Sequence, residues 1–402
     1  MKRQYLLTER AHFMCPNMHF GMLMEIETEY IEERVKETLD KMSEAHPFLK
    51  SLIAYEEGTD RLYYKITEDS QISLSVKTEI ATLWEDYSRV SDNDWNVFKN
   101  GMLKVYVYPQ KQGMTVLLIA HHLLVDGRGL LELAQEFANS YIGGIIPDYV
   151  EEQLIESIHD LPHKSELAGV SKLLIKQANK QWRKENHKVS YEQYQSFVEA
   201  YSKNHNVEYK TYELKKDEVK QMKALCKENG FTINDLLMAH MYQKTGSNKI
   251  IMAADVRRDL VCYKKGALGN YSTAMGIVSK SKITDVVQKA KEVHGLVQKH
   301  KKRNRDWFLV LACYLEIEPT LLDAAAISGL GGFESKAGSF VGAGMFGFHK
   351  PSSYSITNLG KIENQNMKSI MFIPPASPAA KLTLGVVTLN GVMRACSSEN
   401  KI

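Results

Sequence analysis

The chain has 402 residues, 44% of them hydrophobic and 25% charged, with a formal net charge of +3. That length exceeds what one hydrophobic core usually serves, so two parts of about 200 residues each are expected, and the near-balanced charge points to neither nucleic acid nor membrane. Five scattered cysteines (Cys15, Cys226, Cys262, Cys313 and Cys396) without a C-x-x-C pair argue against a disulfide framework and a zinc site.

The N-terminus "MKRQYLLTERAHFMCP" lacks the sustained apolar run of a signal peptide, and "FLVLACYL" (308–315) is too short to span a bilayer. A soluble, reduced, cytoplasmic protein is the expectation. "MHFGMLMEIE" (18–27) reads as a buried strand. Ile31, Val35, Leu39 and Met42 then recur at helical spacing in 28–49, ending before Pro47. "LYYKIT" (62–67) and "ISLSVKTE" (72–79) alternate as strands do. "MLKVYVYP" (102–109), the turn "QKQG" and "MTVLLIA" (114–120) predict a hairpin. Leu130, Leu133, Phe137 and Tyr141 mark one face of a helix that stops at Gly143-Gly144.

From about 145 to 203 the texture becomes polar and basic, predicting a helical connector. A second strand-helix series follows: a strand at 207–214, helices at 215–230 and 231–246, and a strand at 249–260. Thr232 and Asp235 predict a capping box, with Phe231 as its staple. The whole reads as an α/β chain with two similar layered parts, residues 1–180 and 181–402. The glycine-rich run 328–348 contains a G-x-G-x-x-G at Gly342, Gly344 and Gly347. Pro351 and paired serines follow it, so loops and edge strands are expected rather than a nucleotide cradle.

The most specific stretch is "LIAHHLLVDGRGLL" (118–131). Consecutive strand residues point to opposite faces, so His121 and His122 cannot share a cavity unless the strand ends between them. One is expected to be structural and the other free to work. An imidazole with a pKa near about 6.5 at a strand-to-loop junction suits a general base, whereas diverging histidines suit a metal poorly. A pair of ordinary turn histidines remains the bland alternative. Asp126-Gly127 suits a tight turn, with Asp126 capping the next helix.

"HHLLVDG" (121–127) resembles the H-H-x-x-x-D-G signature of the condensation-domain and acyltransferase superfamily, which includes alcohol O-acetyltransferases and relatives of chloramphenicol acetyltransferase. Further stretches are similar to that family's landmarks in the same order: "EAHPFLKSLI" (44–53), "FTINDLLMAHMY" (231–242), "ADVRRDL" (254–260), "GALGNYS" (266–272) and "SITNLGKI" (355–362). The resemblance implies two chloramphenicol acetyltransferase-like subdomains leaning together in a V around a tunnel. It implies that His122 is the general base and His121 structural. Asp126 would pair with an arginine, Arg257 or else Arg258, while Gly127 keeps the tunnel clear or permits the turn's backbone angles. Ser355, Thr357 and Asn358 become candidates for substrate or oxyanion contacts.

By the same resemblance the co-substrate is a coenzyme A or phosphopantetheine thioester, with no bound cofactor or metal, and the acceptor is a small alcohol or amine. The chain lacks the D-F-G-W-G element of plant-type acyltransferases and any carrier or adenylation segment, so a freestanding, monomeric acyl-CoA-dependent transferase is expected. An amide-forming enzyme using a carrier protein and an inert binding member of the fold are the alternatives. The basic run "QKHKKRNR" (298–305) reads as a solvated helix end rather than a phosphate site. Met14, Met18, Met22 and Met24 read as core, and His12, His46, His240 and His349 as ordinary residues.

Overall fold

The computed structural model describes residues 2–91 and 95–401. Its thirteen strands among the described residues form two large sheets and a hairpin. The first sheet has the order β11-β1-β6-β5-β4, built from β1 (His19–Ile26), β4 (Ser73–Val76), β5 (Leu103–Gln110), β6 (Gly113–His121) and β11 (Ser369–Ile373). The second has the order β7-β13-β12-β10-β8-β9. Its members are β7 (Asn206–Leu214), β8 (Lys249–Asp255), β9 (Ser272–Val278), β10 (Ser353–Ile362), β12 (Ala380–Leu389) and β13 (Val392–Lys401). A small hairpin pairs β2 (Ser51–Tyr55) with β3 (Leu62–Ile66). This is a mixed α/β architecture with the chloramphenicol acetyltransferase-like fold.

The β5–β6 hairpin forms around Gly113, whose φ of +108 few side-chain-bearing residues tolerate and whose position would put a Cβ 2.1 Å from the Ile26 carbonyl. β6 is buried along its whole length, between β1 and β5 and with side chains packed on both faces. Val116, Leu118 and Ala120 face one cluster together with Phe20, Met22 and Met24 of β1. Leu117 and Ile119 face another with Tyr87 and Tyr108. Helix α1 (Glu32–Ala45) buries Val35, Leu39 and Met42 as the periodicity requires. Ile31 instead lies outside the first turn, 37% exposed. The helix Gly127–Gly143 buries Leu130, Leu133, Phe137 and Tyr141 and ends on left-handed Gly144.

The predicted capping box is present. Thr232 Oγ1 accepts from the Asp235 backbone N–H at 3.3 Å, and Asp235 Oδ2 accepts from that of Thr232 at 2.8 Å, above buried Phe231. Met14, Met22 and Met24 lie in the core, as expected. The basic run is a helix end as expected: Lys299, His300 and Lys301 fall in the last turn of Val286–Lys301, and Arg303 beyond it pairs with Asp306. Among the described residues no helix is long and apolar enough to cross a membrane.

Two expectations fail in part. The glycine-rich run forms no edge strand: it begins in the end of the helix Pro319–Gly329, loops through 330–335, and continues as Lys336–Ser339 and a wider turn over Phe340–Met345. Its glycines serve close packing, since a Cβ on Gly342 would lie 1.8 Å from the Ala325 carbonyl and one on Gly329 would lie 2.1 Å from that of Phe348. The connector is helical only in its second half, at Gly169–Glu185 and Tyr191–Asn204. Residues 145–168 run mostly without regular structure, with a short turn at Ile158–Asp160.

The first residues are fastened across the fold. Arg10, 1% exposed, donates from Nε and Nη2 to both carboxylate oxygens of buried Asp323 at 2.6 Å and from Nη1 to the Asp60 carbonyl. A guanidinium gripped by both oxygens has its planar fork matched, and removing one partner strands the other charge in the interior. Arg10→Ala is therefore expected to destabilise the fold by about 3–5 kcal/mol in urea titration, and pairing it with Asp323→Leu should recover part of that loss.

Candidate active site

The β6 strand ends at His121, and the chain turns through His122–Val125 before the helix that Asp126 caps. The two imidazoles face different spaces. His121 is buried, accepts from the Leu123 backbone N–H through Nδ1 at 3.2 Å and meets the edge of Trp95 at 5.7 Å. With His19 it lines a cavity of about 460 Å³, and burial holds its pKa down at about 3, so this ring is neutral. His122 lines a smaller cavity of about 150 Å³ beside Asp126, Gly127, Arg128, Asp255, Arg257 and Phe372.

Asn270 fixes the state of the His122 ring. The Asn270 amide nitrogen donates to the His122 backbone carbonyl at 2.7 Å, which leaves its Oδ1 facing His122 Nδ1 at 2.6 Å. An amide oxygen only accepts, so Nδ1 carries the proton and the lone pair resides on Nε2. Among the described residues Nε2 takes no hydrogen bond. Burial lowers the His122 pKa, while the Asp126 charge and the Asn270 bond partly counter that. The result is an imidazole that is neutral at neutral pH, has one tautomer and presents a free acceptor nitrogen.

Asp126 does not touch the imidazole. Its Oδ1 accepts from Arg257 Nη2 at 2.7 Å and from the Gly129 backbone N–H at 3.0 Å, and its Oδ2 accepts from the Tyr271 N–H at 2.9 Å. The helix cap and the arginine pairing therefore coexist in one carboxylate. Burial raises its pKa, but Arg257 and the hydrogen bonds outweigh that and hold it below the usual carboxylate value. Arg257 rather than Arg258 is the partner, and its Nη1 also reaches Asp255 at 3.1 Å. Gly127 has no left-handed φ, so backbone freedom is not its role. A Cβ there would press Phe372 at 3.0 Å and Leu359 at 3.1 Å, both lining the cavity. Gly269 does need its freedom: at φ +145 it places Asn270 and Tyr271 against the motif, and its carbonyl accepts from the Asp126 N–H at 3.2 Å.

Of the three β10 candidates, Thr357 and Asn358 line the cavity and Ser355 does not. Ser355 donates instead to Thr383 Oγ1 at 2.8 Å on neighbouring β12. Ser272 of β9 joins the lining and carries a hydroxyl that the sequence had not singled out. Neither Asn270 nor His12 had been assigned a role, yet Asn270 sets the tautomer and the His12 ring lies 4.3 Å from that of His122 at 16°. Asn270 stands in the quoted "GALGNYS" stretch, which was its available signal; His12 had none. A larger, mainly apolar cavity of about 520 Å³ opens against β7, β12 and β13, but none of the motif's residues lines it.

Replacing Asp126 by Ala leaves Arg257 buried with Asp255 alone, and a loss of about 3–5 kcal/mol is expected in chemical denaturation at neutral pH. Because the native carboxyl is held low, its contribution is complete above the unfolded carboxylate pKa and disappears as pH falls through the native one. The gap between the variant and the parent chain should thus narrow in acid.

The family model described as Condensation domain matches residues 17–253. Similar solved structures include TRI3 trichothecene 15-O-acetyltransferase from Fusarium sporotrichioides, with TM-score 0.65, 12% identity, and 100% of this chain and 91% of that one covered. They also include VibH, an NRPS condensation enzyme (0.54, 11%, 98% and 90%). A third is the epimerization domain from the third module of tyrocidine synthetase B (0.59, 13%, 99% and 92%). No curated protein sequence matches this chain significantly. The matched segment covers more than half of the chain and contains His121, His122, Asp126 and Gly127, and the chain belongs to the Condensation domain family.

Proposed function

We propose that the protein is an acyltransferase that moves an acyl group from a thioester, most simply acyl-CoA, to the hydroxyl or amine of a small acceptor. One observation carries this reading: Asn270 leaves His122 with its lone pair on Nε2, beside a cavity shared by residues after β6 and residues of β8 and β10. An alcohol is far too weak an acid to ionise first, so its proton must leave as the new bond forms. The acceptor oxygen or nitrogen attacks the thioester carbonyl carbon while Nε2 takes its proton. The carbonyl electron pair moves to oxygen, then returns as the carbon–sulfur bond breaks, and the imidazolium gives its proton to the departing thiolate. The Thr357 hydroxyl and the Asn358 amide are the cavity's donors from β10 for the transient oxyanion.

Such a base must be neutral to act. Since burial holds His122 below its ordinary value, kcat/KM should rise with pH to a plateau, with an acid limb centred below about 6.5. A limb centred above 7 would contradict the assignment.

The deciding experiment measures thiol release from acyl-CoA with a panel of alcohols and amines, for the parent chain and His122→Ala. Loss of about 10²–10⁴-fold in the variant is expected. Turnover that survives the alanine removes the base. Activity only with acyl-phosphopantetheinyl protein moves the donor to a carrier. No turnover with any pairing favours a binding member of the fold.

A further inference from the structure

The turn Glu9–His12 carries three polar side chains. Arg10 holds Asp323, as described. Glu9 is fully buried, and its Oε1 accepts from Thr8 Oγ1 at 3.1 Å. The other oxygen, Oε2, is buried without a partner. His12 lays its ring on His122, and its far side meets the edge of Tyr314 at 6.5 Å and 75°. Neither nitrogen of His12 is hydrogen-bonded among the described residues, so stacking is what holds this ring.

His122 needs that support. The torsion that swings an imidazole about its Cβ–Cγ bond has a broad energy well. The Asn270 bond sets which nitrogen is protonated and roughly where it points, but a single hydrogen bond tolerates tilt of the ring plane. Phe20 touches the ring edge-on at 4.9 Å, and His12 lies nearly parallel to it at 4.3 Å. Two flat surfaces at a steep angle to each other remove the tilt that the hydrogen bond leaves.

We propose that His12 is a positioning residue for His122, its stacked ring fixing the plane in which the Nε2 lone pair meets the acceptor. The proposal rests on the acyltransferase reading for its kinetic consequence but not for its geometry. A misplaced base loses rate rather than affinity, so the effect belongs in kcat. It also requires flatness rather than proton transfer from position 12, which separates it from a second acid or base.

The test compares His12→Phe, which keeps a flat ring, with His12→Leu, which fills similar space without one, and His12→Ala. Thermal melts check that each is folded. Leu and Ala are expected to lower kcat by about tenfold or more with KM nearly unchanged, and Phe to restore most of the rate. Unchanged kcat in Leu, or Phe as slow as Leu, would overturn the proposal. Nitrogen-15 histidine spectra give a readout that needs no turnover. All variants should keep His122 protonated on Nδ1, and His12→Leu should show its ring signals broadened by exchange as the plane tilts, while the parent chain and His12→Phe stay sharp. If no acceptor is acylated but the spectra separate Phe from Leu, the function falls and the positioning role stands; identical spectra for both variants overturn the positioning role.

Discussion

The site depends on one buried carboxylate. Asp126 follows the central strand of the first sheet, and its three donors come from its own helix, from Arg257 after β8 and from Tyr271 just before β9 of the second sheet. A charge this deep is tolerable only when it is fully paired, and here both oxygens are occupied. The ends of strands from two sheets are thereby drawn to one point, and the cavity that His122 lines is the space left between them. The shape of the cavity and the joining of the sheets are thus one problem with one solution.

Around that node the labour is divided by distance. Asp126 orders the loop without touching the imidazole, and Asn270, one residue before the Tyr271 amide that Asp126 grips, does the touching. An uncharged orienting group has a chemical consequence. A carboxylate in its place would stabilise the imidazolium and raise the ring's pKa, whereas the amide selects the tautomer with little electrostatic pull. Burial can then keep His122 neutral.

What the sequence revealed follows from the range of the interactions. Helices and strands with a clear apolar period, such as α1 and the β5–β6 hairpin, were legible because local spacing determines which face is buried. The motif and the Asp126–Arg257 pairing were legible through resemblance, which carries long-range information that spacing lacks. The stack of His12 on His122 was not, because two residues 110 positions apart must be brought together before the rings meet and no local pattern marks it. The glycine run misled for a related reason. Glycine weakens helices in isolation, but here it lets two helical turns approach to backbone contact, a gain visible only in the assembled core. Ser355 and Thr357 share a strand face, and their position along β10 decides that only the latter reaches the cavity.

The path of β11 ties the two sheets to each other. The chain leaves β10 in the second sheet, adds Ser369–Ile373 to the edge of the first along β1, and returns to the second as β12. Phe372, on that crossing strand, also walls the cavity. The two sheets are therefore stitched together beside the cavity, and prising them apart there would mean unzipping a five-residue ladder.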